Sequence, residues 1–359
     1  MLSTAARNKT SESLWYVGMI TDTSGAPEDR VGSKVIGTFS WFMPELKRRD
    51  QSITIGRSFA GSACMSAVRV SVIVATHNRG EILRENIESV LNQPGADFEA
   101  IYSDDASTDG TSDILAEYAR SSGGRLRAVR SAGGGPGIAR NTAAREAKGD
   151  FLLMTDDDVV VPSNWIEGML ALRHRSRADT LCGGFDAYSL DSKLERYLHY
   201  RAQIGFGARP HFVSAVPMMN FLISRALFEE LGGFDPDISH NSEDWEFCLR
   251  LAQRGKTIYY DPGVAVRHRY QTDWDGACRR VRNPAVKGLY IRRMHGRPLF
   301  PLVAYTAAKC AASPLWAPRY FPLDLYPLAI AMEGRFFAAR AKAYWNIVTG
   351  NDSAAPKPR

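Results

Sequence analysis

Apolar positions along this chain alternate between two rhythms. Residues 70–76, Val-Ser-Val-Ile-Val-Ala-Thr, are β-branched and almost continuously apolar, the pattern of a strand covered on both faces of a parallel sheet. After the loop His77-Asn78-Arg79-Gly80, Leu83, Ile87, Val90 and Leu91 recur at steps of three and four, which predicts a helix that Pro94-Gly95 stops. The alternation continues through a strand from Phe98 to Tyr102, ending in Ser103-Asp104-Asp105, a helix over 111–121 and a short strand over 126–129. The loop Gly133-Gly134-Gly135-Pro136-Gly137 then leads into a helix of small residues through Ala139, Ala143 and Ala147. A further apolar run, Phe151 to Met154, ends in three carboxylates, Asp156, Asp157 and Asp158, before Pro162-Ser163-Asn164 opens another helical pattern.

This β-α-β-α-β-α-β order at short spacing predicts an α/β fold, a doubly wound and mostly parallel sheet with right-handed crossovers. Ligands of such sheets sit beyond the carboxyl ends of the strands. Thr76-His77-Asn78, Asp104-Asp105 and Asp156 to Asp158 each follow a strand, so the fold gathers them on one edge.

The second half is less regular. Strand-like runs cover 179–185 and 212–223, and a helix near 225–231 precedes the turn Gly232-Gly233-Phe234-Asp235-Pro236. In the helix that follows, Ser242 is the expected N-cap, Trp245, Cys248, Leu249 and Ala252 form an apolar stripe, and Glu246 pairs with Arg250 one turn on. Glu243 and Asp244 fall in the first turn, where acids complement the helix dipole. Asp244 shares a side with Phe247, Cys248 and Leu251, and the desolvation this implies would raise its pKa and suit a general base. Val264, Val266 and His268 share one face of a further strand, which makes His268 a candidate metal ligand beside the carboxylates. A last helix, 331–347, carries Phe336, Phe337, Ala341 and Trp345.

Composition narrows the class. The 359 residues suffice for one large domain or two smaller ones, and the net charge of +6 suits anionic partners without singling out nucleic acid, which is not an expected partner. Five cysteines, none at CxxC spacing, argue against a disulfide framework or zinc site and for a reducing, cytoplasmic setting. No stretch reaches the roughly 18–20 apolar residues of a membrane span. The basic positions between Arg267 and Arg297 fit either a solvated helix face or a diphosphate or phospholipid surface, which leaves peripheral membrane contact through 279–347 open. The expected organisation is a poorly ordered extension over 1–67, a catalytic domain over 68–270, a basic and aromatic helical region over 271–349, and a disordered tail over 350–359.

The acidic triplet carries the candidate chemistry. Three adjacent carboxylates repel one another unless a cation or water relieves them, and hard oxygen donors suit Mg2+ or Mn2+ shared with substrate phosphates. Solvated acids ahead of a helix N-terminus are the plain alternative.

Five segments together resemble family 2 glycosyltransferases of the GT-A fold: VSVIVATHNR at 70–79, YSDDASTDGT at 102–111, GIARNTAAREAKGDFLLMTDDDVVVP at 137–162, MNFLISRALFEELGGFDP at 219–236 and SEDWEFCLRLAQRG at 242–255. The resemblance runs from about residue 68 to 270 in the family's order. It implies a metal-dependent, inverting transfer of sugar from a UDP-, GDP- or dTDP-sugar to a glycan, lipid-linked or small-molecule hydroxyl, as in polysaccharide biosynthesis. By the same resemblance Thr76, Asn78, Asp104, Asp105, Arg140, Asn141 and Asp156 would face the donor. Asp156 and Asp158 would form the DxD pair, with His268 completing a site for Mn2+ or Mg2+. Asp244 would be the catalytic base with Glu243 beside it, and Trp245 and Arg250 would face the acceptor. Two positions depart from the pattern: Ala106 stands where glycine is usual, and Trp245-Glu246 follows the acidic pair where a small residue and an aspartate are common. A sugar nucleotidyltransferase would want a glycine-rich, basic loop after the first strand, an inactive binding module would lose the Glu243-Asp244 pair, and a phosphoesterase has no use for that pair.

Overall fold

The computed structural model describes residues 70–352, apart from 96, 205, 239–241 and 271. The extension expected over 1–67 and most of the tail expected over 350–359 lie outside the described residues.

The first half follows its pattern closely. Strands β1 (Val70–Thr76), β2 (Phe98–Asp104), β3 (Leu126–Arg130) and β4 (Phe151–Asp156) alternate with helices α1 (Gly80–Leu91), α2 (Thr111–Ser121) and α3 (Pro136–Arg145). The four strands pair in parallel in the order β3-β2-β1-β4. β1 is buried at almost every position, which explains its lack of polar alternation. α3 lies against β1 through Ala139, Ala143 and Ala144, and these small side chains let the helix approach the sheet closely.

A two-residue strand, β5 (Val159–Val160), follows the acidic triplet, and helix α4 (Trp165–Ser176) follows it. Next come β6 (Thr180–Ala187), α5 (Lys193–Gln203), β7 (His211–Val213), β8 (Phe221–Ser224) and α6 (Arg225–Glu230). Helix α7 (Glu243–Gln253) and the long strand β9 (Ile258–His268) complete the sheet, which among the described residues has nine strands. β8 enters antiparallel between β4 and β6, β9 runs parallel to β6, and β5 and β7 pair antiparallel with β9. Most of the ladder is parallel, and the reversal at β8 makes the sheet mixed.

The strand-like run 212–223 is not continuous. Pro217 and a 3-10 turn over Met218–Asn220 divide it, because Asn220 is a buried polar hub. Its amide donates to the carbonyls of Gly184 and Val264 and accepts from the Trp165 indole. α5, with a full capping box at Ser192 and Glu195, is an element that periodicity left unassigned.

The C-terminal region is helical: α8 (Trp274–Met294), α9 (Phe300–Ala311), α10 (Ser313–Tyr320) and α11 (Tyr326–Val348). It packs onto α5 through an apolar cluster that includes Tyr197, Leu198, Val281, Trp316, Phe321, Met332 and Phe336. Of the residues expected to mark this helix, Phe336 is buried. Met332, Glu333, Phe336, Arg340, Ala343 and Ile347 point inward, whereas Trp345 is exposed. Two buried charges, Glu333 and Arg340, masked the true face from a hydrophobicity reading. No helix among the described residues is long and apolar enough to cross a membrane.

Candidate active site

Strand register places the edge. Thr76 pairs with Asp104 across β1 and β2, and Ala75 pairs with Asp156 across β1 and β4, so the carboxyl ends of all three strands are level. Beyond them lies a cleft of about 480 Å³ lined by Thr76, His77, Asp105, Arg140, Asp156, Asp157, Asp158, Glu243, Asp244, Trp245 and His268. The acidic triplet and the first turn of α7 therefore share one cavity.

The triplet is a tight turn between β4 and β5. The Asn86 side chain fastens it by donating to the carbonyls of Asp156 and Val159. β5 then pairs with the end of β9, Val159 opposite His268, and this pairing carries the histidine to the acids. His268 Nε2 lies 3.4 Å from Asp158 Oδ1. Burial pushes the imidazole down to about 3, helped by the positive charge of Arg280, so the ring is neutral. Arg79 spans Asp157 at 3.3 Å and Asp158 at 3.6 Å, a basic partner that sequence reasoning missed because it sits on the loop after β1. Burial raises the Asp157 carboxyl to about 7, and the neighbouring Asp158 adds to that rise. Asp158 is raised by burial as well.

These residues fit a divalent cation. Asp158 Oδ1 and His268 Nδ1 are buried and have no hydrogen-bond partner among the described residues. A hard carboxylate and a neutral imidazole face each other, and a cation would relieve the repulsion among the acids. The expected three-residue ligand set is not assembled as such: among the described residues no three His, Cys, Asp or Glu side chains converge on one point. Asp156 instead turns to Arg140, 2.6 Å away.

Arg140 joins the two acidic groups. One of its terminal nitrogens donates to Asp156 and the other to Glu243 at 2.9 Å. All of this happens in a largely buried setting, with the guanidinium also over the Phe234 ring. Gly137, one turn earlier on α3, lets α7 come this close, because a Cβ there would meet the Glu243 side chain at 3.3 Å. Asp244 forms no ion pair among the described residues, although the charge of Arg140 reaches it. Its side chain is half-buried at the cleft, and burial pushes its carboxyl up to about 8, with the charge of Glu243 contributing. Its Oδ1 accepts from the Trp245 backbone N–H, which orients it. A carboxylate poised near neutral pH and open to a cleft can accept a proton. Ser242 does not cap α7 by its side chain. It adopts a left-handed backbone (φ 104°), and the chain enters the helix through that strained residue.

The other expected donor and acceptor residues divide in two. Thr76, Asp105 and Trp245 line the cleft, Asp105 holding Ser131 and the Gly135 N–H through its carboxylate. Asn78, Asp104, Asn141 and Arg250 do not line it. Asp104 is consumed by Ser107, Ser112 and Arg130. Asn78 takes a left-handed backbone and binds Ser107 and Thr108, which folds the loop. In that loop Ala106 also has positive φ (60°), so the glycine usual at this position would meet no steric cost. Asn141 spends its amide on both backbone groups of Phe234. Gly233 is held in the left-handed region where a Cβ would strike Asn141 Oδ1 at 2.5 Å. Arg250 ties Glu246 to the carbonyls of Leu231 and Gly233. It is a clamp on the turn before α7 and does not line the cleft. Arg250→Ala is therefore expected to lower stability by about 2 kcal/mol, the worth of charge-assisted hydrogen bonds to buried groups, in urea unfolding. Nucleotide affinity of the folded variant should stay within about twofold of the parent, a change of under 0.5 kcal/mol.

Residues 71–232 match the sequence model described as glycosyl transferase family 2. The uncharacterized glycosyltransferase EpsJ of Bacillus subtilis (strain 168) is 31% identical over 212 residues, 55% of this chain and 60% of that protein. The poly(ribitol-phosphate) beta-N-acetylglucosaminyltransferase TarS of Staphylococcus aureus (strain MW2) is 31% identical over 116 residues, 32% of this chain and 20% of that protein. The chain thus spans between a fifth and three-fifths of the length of these relatives. Among solved structures, a mannosyltransferase from Pyrobaculum calidifontis in complex with GDP-Man and Mn2+ superposes with a TM-score of 0.56 at 21% identity, covering 79% of this chain and 88% of that one. The shared fold is GT-A, a mostly parallel sheet flanked by helices.

Proposed function

We propose, from the premise that residues 71–232 make this chain a family 2 glycosyltransferase, that the protein moves a sugar from a nucleoside-diphosphate sugar to an acceptor hydroxyl with inversion at the anomeric carbon. The observation that carries this reading is the bridge of Arg140 between Asp156 and Glu243, which sets the acidic triplet and Asp244 around one cleft. The mannosyltransferase's complex with GDP-Man and Mn2+ supports a donor and ion of that class here. Asp158 and His268 would hold the divalent cation, with Asp156 at its flank. Mn2+ or Mg2+, when bound, supplies positive charge for the departing diphosphate.

The remaining steps belong to the chain's own side chains. Thr76 and Asp105 border the nucleotide end, and Arg79 and Arg140 keep the acids in place before the donor arrives. Asp244 takes the proton of the attacking hydroxyl, and it can do so because burial and the charge of Glu243 raise its basicity by more than Arg140 and the Trp245 N–H lower it. A base that takes the acceptor's proton directly corresponds to a single displacement. Residues 68–270 serve as the catalytic domain, and 271–349 close the acceptor side.

Incubation with Mn2+ and a panel of UDP-, GDP- and dTDP-sugars should release the matching nucleoside diphosphate, and Asp158→Asn should lose that release. Absence of release from every donor, with no nucleotide binding by calorimetry, would refute the reading. The pH profile offers a second check. Asp244 must be deprotonated to act, so kcat/KM is expected to climb with pH and level off above about 8. A profile flat from pH 6 to 9 would exclude Asp244 as the base.

A further inference from the structure

The cleft continues past the acidic triplet. From His268 it runs along Arg280, Val281 and Pro284 of α8 and ends between α5, α9 and α11. That inner end is lined by Arg201, Tyr305, Lys309, Glu333 and Arg340. Three cations thus surround one carboxylate, Glu333, which is itself 3% exposed.

The charges do not balance there. Arg340 has its donors on the carbonyls of Ala285 and Pro284 and on the Thr306 hydroxyl, so it braces α8 and α9. Arg201 lies 4.0 Å from Glu333 and Lys309 3.5 Å, loose pairs on opposite oxygens. Three cationic side chains against one carboxylate make this end of the cleft lining net positive, a setting that attracts an anion. The Tyr305 hydroxyl is buried beside them without a hydrogen-bond partner among the described residues. That net positive charge and a spare O–H donor match a phosphate monoester, which carries about −1.5 to −2 at pH 7 and three acceptor oxygens.

We propose that the acceptor glycosylated by this enzyme bears a phosphate group, and that Arg201, Lys309 and Tyr305 receive that phosphate at the inner end of the cleft. The assignment rests on the glycosyltransferase reading for the word acceptor, and on the charge count for the phosphate. The hydroxyl to be glycosylated then lies toward Asp244, at the other end of the same cavity. Glu333 holds the two flexible cations apart until the anion enters.

Calorimetric titration of the full chain with hexyl phosphate, glycerol 3-phosphate and hexanol tests this directly. Hexyl phosphate or glycerol 3-phosphate should bind and hexanol should not. Lys309→Gln and Arg201→Gln should each weaken phosphate binding about 10-fold, as loss of a charge-assisted contact does. Glu333→Gln should tighten it by about the same factor, because a competing anion is gone. A merely structural cluster would not produce opposite signs in Lys309→Gln and Glu333→Gln. Equal affinity of glycerol 3-phosphate and hexyl phosphate assigns a soluble polyol phosphate, and binding of hexyl phosphate alone assigns a phosphate on an apolar chain. Hexanol binding as tightly as hexyl phosphate, or the same direction of change in both variants, would overturn the proposal. Nucleoside diphosphate affinity, measured on the same proteins, should be unchanged. Its absence alongside opposite-signed phosphate effects would count against the glycosyltransferase reading while leaving the phosphate site standing.

Discussion

Asp244→Asn is expected to reduce kcat about 1000-fold, within the range a general base contributes, while leaving nucleoside diphosphate affinity intact. The side chain is isosteric and keeps the acceptor oxygen that receives the Trp245 N–H, so the turn of α7 should survive. What disappears is the capacity to take a proton. The neighbouring acid cannot stand in, because Glu243 is held by Arg140 and buried. Removing a charge that burial and Glu243 both disfavour should also make the folded protein more stable, or at least no less stable, at pH 9. Single-turnover measurement of sugar transfer, paired with calorimetric titration of the nucleoside diphosphate, separates the two effects. Turnover within about threefold of the parent, far less than any general-base contribution, would remove Asp244 from the mechanism.

The same α7 turn shows what a sequence conveys and what it hides. Asp244 was legible because its helical spacing from Phe247, Cys248 and Leu251 implied desolvation, and burial does raise its carboxyl. The parallel half of the sheet was legible for a similar reason: short runs buried on both faces, such as β1 and β4, read as near-continuous apolar stretches. Asp104, Asn141 and Arg250 were polar in the right neighbourhood, yet they hold backbone groups of adjacent turns. Nothing in residue type separates a carboxylate that meets a ligand from one that caps its own loop. Arg79 reaches the triplet from the loop after β1, and the pairing that carries the expected His268 to it runs through a two-residue strand too short to announce itself. The inner face of α11 was not legible, because it includes two charged residues, Glu333 and Arg340, that are rarely buried. Their burial became intelligible only when the cations of α5 and α9 stood beside them.

Arg140→Gln is expected to cost about 3–5 kcal/mol of stability, the penalty for breaking a buried pair and leaving its partners uncompensated. Two carboxylates, Asp156 and Glu243, would lose their shared cation at once. Glu243 suffers more, since its second oxygen already lacks a hydrogen-bond partner among the described residues and the side chain is buried, whereas Asp156 faces the cleft and can draw on water. The variant should relax by protonating one of the two uncompensated carboxylates, so its stability deficit should be largest at pH 8 and shrink as pH falls toward the usual carboxylate range. Chemical denaturation at pH 5 and pH 8 reads this directly. Substrate effects should follow from the same loss: without the bridge, α7 is no longer fixed against β4, and turnover should fall even where the protein remains folded. Lysine at this position restores one charge but not the two-pronged geometry, so Arg140→Lys should recover part of the stability and little of the turnover. Equal unfolding midpoints for the parent and Arg140→Gln at pH 8 would mean that Asp156 and Glu243 are kept together by something other than this guanidinium.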